Sequence, residues 1–125
     1  MATTVLAIPS NLPGGLDAER SGHFGHCEIY TIVKLEGKEI KEVTTLEPMP
    51  HTEGGCLMAV QHLATHGVTE LIAGGMGMRP LMGFNESGIK VFYCPADGPV
   101  RHAVSAYLED KLPVFSPDNT CQHHH

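Results

Sequence analysis

The stretch "TELIAGGMGMRPLMGFNESGIKVFYC", residues 69–94, decides how this chain folds. Its opening, "TELIAGG" at 69–75, is a short continuous apolar run closed by glycines, which reads as a strand buried on both faces. A helix is expected from near Pro80 to Ser87, with Gly88 past its end. "IKVFYC", 89–94, is the next strand. Strand, short helix, strand demands parallel pairing through a right-handed crossover.

Working outward, "ADGPV" opens another helix with Pro99 at its first helical position. Val100, Ala103, Val104, Tyr107 and Leu108 then follow the i, i+3, i+4, i+7, i+8 pattern of one apolar face. After Leu112 the pattern breaks up, so residues 113–125 are expected to form a flexible Cys/His tail beyond a single domain of residues 1–112. Toward the N-terminus, Thr52 is a candidate N-cap for a helix running to His66, stopped by Gly67. Leu57, Val60, Leu63 and Ala64 share its apolar face. "CEIYTIV", 27–33, and "EIKEVTTLE", 39–47, form a hairpin around "EGK" at 36–38. The apolar phase of the return strand slips between Ile40 and Val43, which predicts a bulge or an edge position. "TVLAI", 4–8, is a further buried strand. Between it and the hairpin, "PSNLPGGLDAERSGHFGH", 9–26, is a long loop without period, a kind of segment that often carries function. The expected fold class is therefore α/β. A mixed five-stranded sheet, order 3-2-1-4-5 with strand 2 antiparallel, carries three helices on its faces. The carboxyl ends of strands 1, 3, 4 and 5 share one edge, where open α/β sheets bind ligands.

The chain has 125 residues, 42% of them hydrophobic and 18% charged, which suits one folded domain. No run of about 18 apolar residues occurs, so no membrane span is expected. The start, "MATTVLAIPS", lacks a basic segment and reads as a strand rather than a signal peptide, which implies a cytoplasmic protein. A net charge of -6 argues against nucleic-acid binding by charge. The three arginines, Arg20, Arg79 and Arg101, lie in Gly/Pro-rich loops or just inside a helix start. That placement suits local holding of a small anion; the plainer reading is solvated surface arginines. Four cysteines without an export signal or a CxxC pair read as thiols, and a closed zinc ribbon is not expected.

The shared edge gathers the chemistry. It receives His23 and His26 from the long loop, His51 from "HTEGGC", and Gly75, Met76, Gly77, Met78 and Arg79 from the glycine turn. Arg101 opens the last helix there. Soft sulfur and imidazole donors thus lie beside glycines whose N–H groups can approach an anion. The N-termini of the first and third helices are expected to add positive potential. Plainer readings compete: Cys56 and Cys94 as buried thiols, and Met76 and Met78 as gap fillers. His62 and His66 have the i, i+4 spacing that can chelate a metal, but they lie off the apolar stripe and read as solvated surface residues. The ending "CQHHH" reads either as a native metal-binding tail, through Cys121, His123 and His124, or as a short tag remnant.

The succession "HFGHCEIYTIV", "HTEGGCLMAVQHLATHGV", "LIAGGMGMRPLMGFNESGIKVF" and "GPVRHAVSAYLEDKL" resembles the dinitrogenase iron–molybdenum cofactor biosynthesis family over about residues 4 to 112. The resemblance implies a ribonuclease-H-like α/β fold that carries or assembles preformed metal–sulfur clusters. The family includes nitrogenase cofactor carriers and an orange molybdenum–copper sulfide protein. By position, His23 of "HFG" would be the cluster-facing, metal-contacting histidine, framed by loops 9–26, 51–56 and 74–80. The cluster would be held non-covalently, without protein thiolates.

The expected function is non-enzymatic binding, storage or transfer of an anionic molybdenum-containing metal–sulfur cluster, Mo–Cu–S or Fe–Mo–S. A cluster donor or acceptor protein is the implied partner. His23 contacts the cluster and His26 assists. Arg20, Arg79 and Arg101 offset its charge, and Met76 and Met78 give a soft wall. One alternative is a divalent-metal carrier acting through Cys121 and the terminal histidines. Another is a metal-dependent nuclease, for which "TVLAI" and "LIA" lack the necessary carboxylates.

Overall fold

The computed structural model describes residues 3–21, 28–48, 55–76, 78–94 and 98–116, the side chains of 55–57 excepted. Eight elements follow in the expected order: β1 (Thr3–Ser10), β2 (Ile29–Glu36), β3 (Glu39–Leu46), α1 (Gly55–Thr65), β4 (Glu70–Ala73), α2 (Met78–Glu86), β5 (Lys90–Tyr93) and α3 (Val100–Leu108). The five strands form one sheet in the order β3-β2-β1-β4-β5. β2 pairs antiparallel with β1 from Thr3↔Glu36 to Ser10↔Ile29, and antiparallel with β3. β1 with β4, and β4 with β5, are parallel. The ribonuclease-H-like label is compatible with this topology.

Alternation along the strands sorts the core into two layers. Leu6, Ile8, Val33, Leu35 and Ile72 pack with Val100, Ala103 and Val104 of α3. Ala7, Tyr30, Ile32, Leu71 and Val91 pack with Val60 and Leu63 of α1 and with Leu81 and Phe84 of α2. The central strands are covered on both faces, which is why they read as unbroken apolar runs. Each large side chain so buried contributes about 1.5–3 kcal/mol.

The phase slip in the hairpin is a bulge. Lys34 pairs with Glu42 and Leu35 with Ile40, leaving Lys41 without an opposite number. The bulge and the charges of Glu39, Lys41 and Glu42 make the β3 edge a poor template for another strand.

Several expectations are corrected. β1 continues through Pro9 and Ser10, beyond the last β1–β4 pair at Ala7↔Leu71, where proline costs no ladder bond to β4. Pro99 is the N-cap of α3, in extended conformation, rather than its first helical residue. Ala64 faces solvent. The segment after β1 is not structureless: Asn11 N–H donates to Glu19 O at 2.9 Å, and bridges form between Ser10 and Arg20 and between Glu19 and Pro99.

Residues 113–116, expected to begin the tail, pack along β5. Tyr93 N–H donates to Pro113 O and Phe115 N–H to Val91 O, both at 2.8 Å. Phe115 is 3% exposed, and its ring meets Tyr93 edge-on at 5.2 Å between centroids. The outer edge of β5 offers unpaired backbone groups beside an apolar slot, and 113–116 satisfies both. The remainder of the expected tail, 117–125, lies outside the described residues.

Candidate functional site

The carboxyl edge of the sheet is built from the end of β1 outward. Ser10 and Thr31 are fully buried there and form a directional chain. Ser10 Oγ donates to Ile8 O at 2.7 Å, so its single hydrogen is spent. Thr31 Oγ1, 2.8 Å away, therefore donates to Ser10 Oγ, and its lone pair accepts Gly15 N–H at 3.0 Å. This chain fastens the loop after β1 to the sheet. Gly14, at φ +80°, lets the loop pass close over the hairpin: a Cβ there would lie 2.8 Å from Thr45 Cγ2. Sequence reasoning missed this anchor, because a buried threonine in a β-branched strand looks like any other strand threonine.

The loop then closes on α3. Val100 N–H donates to Ala18 O and Arg101 N–H to Leu16 O, both at 2.8 Å. These donors are the ones a helix N-terminus offers to an anion. The expectation that α3 contributes open positive potential is therefore corrected, since loop carbonyls consume its first N–H groups.

The loop leaves and re-enters the edge at one place. Ser21 N–H donates to Pro9 O at 2.9 Å, and Glu28 N–H donates to Ser10 O at 3.1 Å. Residues 22–27, which carry His23, His26 and Cys27, connect these two feet and lie outside the described residues. β4 is the neighbour of β1, and its carboxyl end runs directly into Gly74, Gly75 and Met76. α2 starts at Met78.

The arginines separate into three environments. Arg20 is half-buried, and its Nη1 donates to Cys94 O at 2.9 Å, tying the β1 loop to the end of β5 across β4. Arg79, in the first turn of α2, is exposed. Arg101 pairs with Asp17, with Nε 3.0 Å from Oδ1. That pairing engages one edge of the Arg101 guanidinium with a carboxylate. The pair is largely exposed and adds little to stability.

Among the methionines, Met76 is fully buried in the core cluster with Leu71 and Phe84. It packs the interior rather than walling an open surface. Met78 is half-buried against the same cluster, and Gly75 is buried. Cys94 is a buried free thiol. His51, Gly77, Cys121, His123 and His124 lie outside the described residues, as does the side chain of Cys56. Among the described residues, no group of three or more His, Cys, Asp or Glu could hold a metal ion. No helix among them is long and apolar enough to cross a membrane. A groove of about 250 Å³ between Lys38, Glu70, Phe92 and Tyr107 opens on the opposite edge, at the start of β4.

Residues 4–110 match the sequence profile described as dinitrogenase iron-molybdenum cofactor. The chain belongs to that family. A relative, the uncharacterized protein MJ0580 of Methanocaldococcus jannaschii, is 29% identical over 97 residues, 76% of this chain and 81% of the relative. The solution structure of TM1290 from Thermotoga, a candidate NifB protein, shares the fold at 27% identity, covering 90% of this chain and 97% of that one, with a TM-score of 0.71. The apo form of the orange protein from Desulfovibrio gigas shares it at 24% identity, covering 90% and 93%, with a TM-score of 0.79. In this chain the sheet is covered by helices on both faces and its carboxyl edge is built of loops. That edge carries the glycine turn and both feet of the histidine-bearing segment.

Proposed function

We propose that this chain binds an anionic molybdenum-containing metal–sulfur cluster, Mo–Cu–S or Fe–Mo–S, at the carboxyl edge of its sheet. It stores the cluster or passes it between a donor and an acceptor protein, and catalyses no reaction of its own. The carrying observation is that the segment holding His23 and His26 and the turn at Gly74–Met78 are rooted on adjacent strand ends, β1 and β4. Seven Cα steps separate Ser21 from Glu28. Out and back at about 3.6 Å per step, a chain of that length can span at most about 13 Å from its two feet.

The donor set suits a soft, negatively charged cargo. Glycines at 74 and 75 let backbone N–H groups come close to it. The N-terminus of α2 adds partial positive charge. Arg79 is exposed beside that terminus, and Arg20 has guanidinium N–H groups beyond the one given to Cys94 O. Imidazole from His23, assisted by His26, is a ligand suited to the copper or iron of such a cluster. Cys94 is buried, so the cargo is held without it. The family description names the iron–molybdenum cofactor, and this supports a cluster as the cargo.

The test is reconstitution of the full chain with tetrathiomolybdate and copper, followed by gel filtration. The proposal expects a visible-range chromophore that co-elutes with the protein and is lost in His23→Ala. Absence of any retained chromophore, here and with iron–molybdenum cofactor, would overturn it.

A further inference from the structure

His62 and His66 are not the loosely solvated residues that their position off the apolar stripe suggests. His62 Nε2 lies 2.8 Å from Glu47 O, and His66 Nδ1 lies 2.8 Å from His62 O. A carbonyl oxygen only accepts, so both ring nitrogens are protonated donors. In the neutral imidazoles the other nitrogens, Nδ1 of His62 and Nε2 of His66, then carry lone pairs. Protein metal sites use this arrangement: a ligating histidine gives its second N–H to a carbonyl, which fixes the tautomer and orients the ring. The two rings stand one helical turn apart with centroids at 4.7 Å. Histidines at i and i+4 on one helix face are a known way to hold a single ion, with metal–imidazole bonds of about 2 Å.

We propose that the last turn of α1 is a two-histidine site for a late first-row divalent ion, completed by solvent. Copper(II) is the ion held most tightly, followed by nickel(II) and zinc(II), as imidazole donors order them. The site lies on the outer surface of α1, apart from the carboxyl edge, and it does not rest on the cluster reading. Its structural supports are the Glu47 carbonyl just past β3 and the His62 carbonyl of the helix itself.

The experiment is a copper(II) titration of the ¹⁵N-labelled full chain, followed by amide broadening and carried past any signal loss at residues 121–125. The expected result is selective broadening at Glu47 and along residues 62–66. Loss of an outer-shell partner alone typically weakens metal sites about 10- to 100-fold. His62→Gln and His66→Gln, each removing a ligand, should therefore weaken the effect at least about tenfold. Unchanged β1 amides verify the fold of both variants. Zinc(II) shift mapping of the unsubstituted chain is a second reading and should move the same amides. No broadening on α1 at saturation would overturn the proposal, as would broadening that survives both substitutions.

Discussion

Replacing Phe115 with alanine tests whether residues 113–116 belong to the folded unit. The ring is 3% exposed and sits edge-on against Tyr93 within the cluster that contains Val91, Leu81 and Phe84. Truncating a core phenylalanine costs about 3–5 kcal/mol, the transfer term plus the cavity left behind. The segment lies at the end of the described chain and can peel away when its anchor is lost, which limits the cost to the free energy of docking. The lower end, about 3 kcal/mol, is therefore expected. For a chain of this size, each kcal/mol lowers Tm by roughly 3–5 °C, giving a fall of about 10–15 °C. Urea unfolding followed by far-ultraviolet circular dichroism measures the loss directly. Val114→Ala is the control: Val114 is 52% exposed, and its truncation should stay within about 0.5 kcal/mol. A loss below about 1 kcal/mol for Phe115→Ala, with an unchanged urea slope, would refute the docking argument.

Gly14→Ala places a Cβ 2.8 Å from Thr45 Cγ2 at a backbone φ of +80°. The left-handed conformation alone costs roughly 1–2 kcal/mol, and the contact adds to it, so a loss of about 2 kcal/mol in urea unfolding is expected. An unaltered midpoint would contradict the close approach of the loop to the hairpin. Tyr107 donates its phenolic hydrogen to Glu70, and burial, then the Glu70 bond and charge, push its pKa upward. Below about pH 10 the phenol is neutral in both folded and unfolded chains; above it the unfolded chain ionises first, so stability falls with rising pH. Spectroscopic titration should show a late-ionising component that disappears in Tyr107→Phe, and the same substitution should flatten the alkaline decline; a titration curve that loses no late component in Tyr107→Phe would count against it.

What the sequence made legible follows from where each constraint lives. β1 and β4 read as unbroken apolar runs because helices cover both their faces, and Lys41 announced its bulge through the phase slip beside it. Residues 113–116 were unreadable because four residues carry no period; β5 supplies their hydrogen bonds and Phe115 their anchor. Arg20 looked like an open charge, yet part of its guanidinium holds the backbone carbonyl of Cys94, a partner without a side-chain signature. Arg101 finds Asp17 84 residues away in sequence, and the α3 N-terminus is closed by the carbonyls of Leu16 and Ala18. Met76 read as a soft donor because composition cannot say which methionine faces inward; the first residues past β4 are still in the core. The glycine turn and the histidine-bearing segment were placed at one edge by topology alone, since parallel crossovers return every strand in the same direction.

The central claim is that cargo binds at the carboxyl edge, between the β1 loop and the glycine turn. Mapping amide shifts of the ¹⁵N-labelled full chain during titration with the tetrathiomolybdate–copper cluster tests it most directly. The account predicts perturbation concentrated at Ser21, Gly74, Gly75 and Arg79, with β3 and the Glu70 groove unmoved. Shifts confined to residues 121–125, or centred on the groove at the opposite edge, would contradict it.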